Sequence, residues 1–152
     1  MGAFSAPSLT YRTHVRYNES MVQVQLGYAA DRQGAGVAYA RLSTRTGERL
    51  VRAAFRVQRY TGLEDREVSY AAISAIATLL REHKMDRVTF FVPDQRLIDD
   101  RELHRDVPPP LVLPYVRLGC VLNRLKQFEL KFGADPDLDQ RARAEVALHT
   151  AA

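Results

Sequence analysis

Three early stretches, residues 21–29, 36–43 and 50–57, carry apolar side chains in strand-like runs with turn residues between them. Thr44-Arg45-Thr46-Gly47-Glu48 separates the second from the third and has the composition of a hairpin turn. The period then changes. Over residues 64–83 the apolar positions Val68, Ala71, Ala72, Ala75, Ile76, Leu79 and Leu80 form one stripe at helical spacing. Glu64, Asp65 and Glu67 place negative charge where a helix N-terminus favours it. Val88-Thr89-Phe90-Phe91-Val92 is a short apolar run, the pattern of a strand covered on both faces. Helices are predicted over 95–103, 115–125 and 138–150, and a last strand over 128–132. Val107-Pro108-Pro109-Pro110-Leu111-Val112-Leu113-Pro114 reads as an extended connector, because each proline removes a backbone donor.

Strands joined by tight turns pair antiparallel, and strands reached across a helix run parallel. The order therefore predicts an α/β fold with a mixed five-stranded sheet flanked by helices. Three antiparallel strands come first and two parallel strands follow. Residues 21–152 form a single domain by the size prior. Residues 1–20 read as an N-terminal arm or an extra edge strand, since 11–17 alternate with Arg12, His14 and Arg16 on one side.

Composition excludes more than it selects. With 46% apolar and 26% charged residues, a chain of this length needs neither disulfides nor a structural metal. Cys120 is the single cysteine, which fits a reducing, cytoplasmic setting. No apolar run is long enough to span a bilayer, so no membrane partner is expected. The four histidines (His14, His83, His104, His149) show no ligand spacing, and no nucleophile elbow or phosphate-binding glycine loop is present. Net charge is +4, and of 22 basic residues only Lys84, Lys126 and Lys131 are lysines. Arginine's planar fork suits phosphate, which admits nucleic acid as a partner. Codon bias in a GC-rich genome produces the same enrichment.

Several local motifs, in order, resemble the type 1 ribonuclease H family. Asp94-Gln95-Arg96-Leu97-Ile98 after a buried strand is similar to that family's Asp-Ser-Gln-Leu-Val. Ser69-Tyr70-Ala71-Ala72-Ile73 is similar to Glu-Tyr-x-Ala-Leu in its first helix. Asp135-Pro136-Asp137-Leu138-Asp139-Gln140-Arg141-Ala142 resembles its final Asn-x-x-Ala-Asp-x-Leu-Ala segment, with Asp139 as the acid. The resemblance implies a ribonuclease H-like fold and a site in which four carboxylates hold two Mg²⁺ or Mn²⁺ ions that cleave the RNA of an RNA–DNA hybrid. Here Asp94 and Asp139 remain as the metal-ligand candidates. Gly27 and Ser69 align with the other two acids, and no histidine lies between Phe128 and Asp139. Asp31 and Glu67 are the nearby acids that could substitute, each only by a shift of register.

The expectation is a catalytically degenerate ribonuclease H-like domain with no metal cofactor. It would bind nucleic acid, hybrid or DNA, or act as a subunit of a nucleic-acid-processing assembly. The alternatives are an active Mg²⁺- or Mn²⁺-dependent hybrid ribonuclease with a rearranged site, and a pure protein-interaction module such as a homodimer. Arg32, Arg41, Arg45, Arg52, Arg56 and Arg59, on or near the antiparallel ribbon, are the candidate phosphate contacts.

Overall fold

The computed structural model describes residues 21–57, 65–104 and 106–151. The 1–20 arm, Arg59 and the predicted helix start at Glu64 lie outside them. Along the described chain run β1 (Val22–Ala30), β2 (Ala35–Thr44), β3 (Gly47–Arg56), α1 (Arg66–Glu82), β4 (Arg87–Val92), α2 (Gln95–Glu102), α3 (Pro109–Leu122), β5 (Gln127–Phe132) and α4 (Pro136–Ala151). The strands form one five-stranded sheet in the order β3-β2-β1-β4-β5. β1–β2 and β2–β3 pair antiparallel, whereas β1–β4 and β4–β5 pair parallel. The mixed sheet anticipated from the sequence is the one observed.

Two turns make the ribbon. Thr44 pairs with Gly47, whose positive φ of 142° closes the β2–β3 hairpin at a residue without a Cβ. In the β1–β2 turn Gly34 has a φ of 93° and lies against the Val57 carbonyl, so a side chain fits neither the backbone angle nor the space. The Asp31 carboxylate accepts the Gln33 and Ala35 amides at 2.8 and 3.0 Å and fixes the turn's path.

Register then sorts the side chains into two faces. Val24, Leu26 and Tyr28 of β1 stand beside Leu42, Ala40 and Ala38 of β2, and Phe90 of β4 stands beside Val24. This face packs into the apolar core with Ile73, Ile76 and Leu80 of α1 and Leu111, Leu118 and Leu122 of α3, all buried. Burying each such side chain contributes about 1.5–3 kcal/mol, which makes this layer the main source of stability. Across the sheet, Gln25 and Gly27 pair with Arg41 and Tyr39, and Tyr39 pairs with Arg52. That face carries α4, and charge does much of the holding. Arg41 pairs with the buried Asp135, and Arg52 and the Tyr39 hydroxyl both bind Glu145.

One expected element is different. The proline-rich stretch is no extended connector; α3 begins at Pro109, capped by Pro108, and continues through Pro114. The first amides of a helix have no intrahelical acceptor, so prolines at its start forfeit no hydrogen bond and pre-set φ. Only Pro114 costs a bond, and burial of Leu111, Leu118 and Leu122 offsets it.

Candidate functional site

Parallel α/β sheets gather ligands outside the carboxyl ends of their strands, where neighbouring connections part to opposite faces. β1 and β4 end side by side here, and a crevice of about 640 Å³ opens beyond them. Tyr28, Asp65, Ser69, Asp94, Arg96, Asp139 and Arg143 are among its lining residues. Three of the four positions marked by the family resemblance therefore come together, namely Ser69, Asp94 and Asp139.

The fourth, Gly27, lies against the Asp139 backbone but is not among the crevice's lining residues. Gly27 faces α4, and a Cβ built on it lies 2.6 Å from Leu138 Cβ and closer still to the Leu138 carbonyl carbon and the Asp139 amide nitrogen. Glycine is required there because helix backbone rests directly on strand backbone. Strand alternation turns the next residue to the opposite face, so Tyr28 is the β1 side chain that reaches the cluster. Its hydroxyl donates to Ser69 Oγ at 2.8 Å, and Ser69 Oγ donates to Asp94 Oδ2 at 2.9 Å. Burial pushes the Tyr28 hydroxyl above its ordinary range; the Ser69 hydrogen bond opposes this, and the Asp94 and Asp139 charges add to it. Tyr28 stays protonated, and both protons of the chain point toward Asp94.

Each remaining carboxylate is engaged by an arginine. Asp94 caps α2, accepting the Arg96 amide at 3.1 Å, and Arg96 Nε lies 3.3 Å from the same oxygen. Asp139, in the first turn of α4, accepts from Arg143 Nε at 2.8 Å across one helical turn. Asp65 lines the crevice one turn ahead of Ser69. The sequence places this acid in the helix's N-terminal turn and does not single it out for the site, although its four-residue spacing from Ser69 is a usable signal. The substitutes weighed from the sequence go elsewhere. Asp31 is committed to the β1–β2 turn, and Glu67 lines a separate groove with Phe55, Arg56, Tyr70 and Leu113.

Two hard divalent ions a few ångströms apart require anionic oxygens around both, since like charges 4 Å apart repel by roughly 4 kcal/mol at an effective dielectric near 20. The donors here are two neutral hydroxyls, two carboxylates already bound by guanidinium groups, and the exposed Asp65. Among the described residues no three His, Cys, Asp or Glu side chains gather where they could hold a metal ion. The residues present do not fit a two-metal centre.

The ribbon arginines divide. Arg41 and Arg52 are bound to Asp135 and Glu145 and hold α4 to the sheet. Arg32, Arg45 and Arg56 are exposed, and Arg56 sits at the mouth of the groove containing Glu67. Behind the site, Arg66 binds the buried Asp100 through both carboxylate oxygens at 3.2 and 3.0 Å, and Tyr70 donates to Asp100 at 3.0 Å. This network ties α1 to α2 and so fixes Ser69 relative to Asp94. No helix among the described residues is long and apolar enough to cross a membrane.

No protein-family model matches the chain, and no curated protein matches it in sequence. Solved structures do match. A ribonuclease H1 from the halophilic archaeon Halobacterium salinarum aligns with 16% identity and a TM-score of 0.65, covering 85% of this chain and 98% of that one. The N-terminal ribonuclease H domain of a Mycobacterium tuberculosis protein, solved as a fusion with maltose-binding protein, aligns with 13% identity and a TM-score of 0.63, covering 86% and 99%. The LC11 ribonuclease H1 in complex with RNA/DNA hybrid aligns with 12% identity and a TM-score of 0.55, covering 81% and 91%. Identity this low speaks to architecture alone, and with the strand order β3-β2-β1-β4-β5 it shows that the chain has the ribonuclease H fold.

Proposed function

We propose that this protein is a catalytically degenerate ribonuclease H-like domain that binds nucleic acid, an RNA–DNA hybrid or DNA, without a metal cofactor. One observation carries the proposal. At the carboxyl ends of β1 and β4, Gly27 and Ser69 stand at two of the acid positions that the resemblance marks, and the carboxylates of Asp94 and Asp139 are held by Arg96 and Arg143. A centre built this way has too little negative potential to trap a pair of divalent ions. The fold match to a ribonuclease H1 solved with RNA/DNA hybrid supports the choice of ligand class. The test is incubation of a labelled RNA–DNA hybrid with the protein in Mg²⁺ and in Mn²⁺, with no cleavage above the protein-free control expected. Metal-dependent cleavage that disappears in Asp94→Asn would overturn the proposal and establish a rearranged active ribonuclease.

A second reading rests on α3. Val112, Leu113 and Val116 are each about half exposed (48%, 56% and 51%) on its outer side. On this reading the domain is a subunit of a nucleic-acid-processing assembly or a homodimer, with α3 as the contact. Sedimentation of the wild type and of Leu113→Glu separates the two. A monomer unaffected by the substitution excludes self-association through this face.

A further inference from the structure

We propose that β5 pairs antiparallel with β5 of a second copy of this chain, joining two five-stranded sheets across a two-fold axis at Leu130. The contact stands apart from the nucleic-acid reading and from the α3 face.

β5 is one edge of the sheet, and among the described residues no strand pairs with its outer side. The Gln127 amide donates to the Asp86 carbonyl and the Gly133 amide to the Val92 carbonyl, both at 3.1 Å. In a parallel pair alternate residues turn their backbone groups toward the neighbour, so Gln127, Glu129 and Lys131 bond to β4. The amides and carbonyls of Phe128, Leu130 and Phe132 therefore point away from the sheet. A strand placed this way is a template for another strand.

The side chains select the partner. A two-fold contact must be self-complementary, and Gln127-Phe128-Glu129-Leu130-Lys131-Phe132 is. Phe128, Leu130 and Phe132 share the face of Val88, Phe90 and Val92, while Glu129 and Lys131 are exposed on the opposite face. With the axis at Leu130, Glu129 stands opposite Lys131 of the second copy and Phe128 opposite its Phe132. Opposite charges and aromatic rings directly across a ladder each stabilise it, and the two-fold repeats both pairs. Moving the axis to Glu129 or to Lys131 sets like charges against each other, so charge fixes the register. Phe132 is 58% exposed, and the pairing covers it. Its ring comes to lie beside the second copy's Phe128, which lines a cleft of about 300 Å³ with Arg101, Glu102 and His104. β3, the other edge, carries Arg49, Arg52 and Arg56 against Glu48 alone and lacks this balance.

The experiment is sedimentation equilibrium of the full chain without nucleic acid. Concentrations run from about 10 µM to about 1 mM, because a six-residue strand is short against the roughly 20–30 residues a side of a standard interface. Wild type is expected to pass from monomer to dimer over this range. Lys131→Glu and Glu129→Lys should each weaken association about tenfold, and the double exchange should restore it to within about threefold of wild type. Phe132→Ser, at an exposed position outside the core, should weaken it about tenfold as well. Circular dichroism checks each fold, and rescue by the double exchange separates lost pairing from misfolding. Amide hydrogen exchange gives the strand-level readout. The amides of Phe128, Leu130 and Phe132 should gain protection as the dimer forms, whereas those of Glu129 and Lys131, already bonded to β4, should not. A chain still monomeric at the highest concentration would overturn the proposal, as would a dimer lost in Leu113→Glu but not in Lys131→Glu. Protection of the three outward amides in the monomer would overturn it too, because another segment of the same chain would then occupy the edge. Cleavage and hybrid binding are measured separately, so neither result decides the other.

Discussion

The two faces of the sheet are built from different materials. On the α1 and α3 side, Val24, Leu26, Phe90, Ile73, Ile76 and Leu118 make a dry layer, and Arg66–Asp100–Tyr70 is a polar network set into it. On the α4 side, Arg41–Asp135 and the Tyr39–Glu145–Arg52 cluster hold a helix to the strands, with Gly27 under its first turn. The first face decides whether the chain folds. The second decides where α4 sits, and therefore where Asp139 and Arg143 enter the crevice. Arginines that read in sequence as a nucleic-acid surface are, on this side, the fastening of a helix.

The comparison can be broken most severely on the dry side. Asp100→Ala leaves Arg66 facing a buried gap and the Tyr70 hydroxyl without its acceptor, and is expected to cost about 3 kcal/mol, read from the urea midpoint at unchanged slope. A loss under about 1 kcal/mol would show that the network is not part of the core. Next comes Gly27→Ala, where a methyl group meets the Leu138 and Asp139 backbone. About 2 kcal/mol of destabilisation is expected, together with a shift of Asp139 and Arg143 amide resonances. Silent resonances would mean that strand and helix do not touch there. Ser69→Ala interrupts the chain from Tyr28 to Asp94 and is expected to cost about 1 kcal/mol, with two-state unfolding retained.

The smallest effect lies on the charged side and depends on pH. The Arg52 guanidinium, and after it the Tyr39 hydroxyl, hold the Glu145 carboxyl down to about 2 from an ordinary 4.5. A depressed carboxyl stabilises the fold above its unfolded value. That contribution is complete above about pH 4.5 and disappears as pH falls toward 2. Arg52→Ala should therefore flatten the acid limb of the stability profile while costing under about 1 kcal/mol at neutral pH, because Arg52 is 46% exposed. An acid limb as steep in the variant as in wild type would assign the loss to other carboxylates.

Periodicity made the strands and α1 legible, because a half-buried strand and an amphipathic helix each impose a repeat on the sequence. α3 was hidden, since prolines carry the same signature in a helix's first turn as in a connector, and only the burial of Leu111 and Leu118 separates the two. The crevice was legible in part. Ser69, Asp94 and Asp139 were marked by local motifs, each at a fixed place on its own element. Tyr28 was not, because deciding between neighbours on a strand requires knowing which face is which, and register comes only from Gly27↔Tyr39 and Tyr28↔Ala38 pairing across the ribbon. Arg96 and Arg143 were missed for a related reason. Their meaning lies in which carboxylate they cover, and Asp139 approaches from the far end of the chain.

The close seating of α4 on Gly27 also bears on which replacements β1 can accept. One nucleotide change turns a glycine codon into an aspartate codon, yet here the new acid would push a helix off its bed before it could bind anything. Tyr28, one step along, offers no shortcut, because trading it for an acid removes the ring that fills the space in front of Ser69. A carboxylate on this stretch of β1 thus demands coordinated replacements on the helix above it.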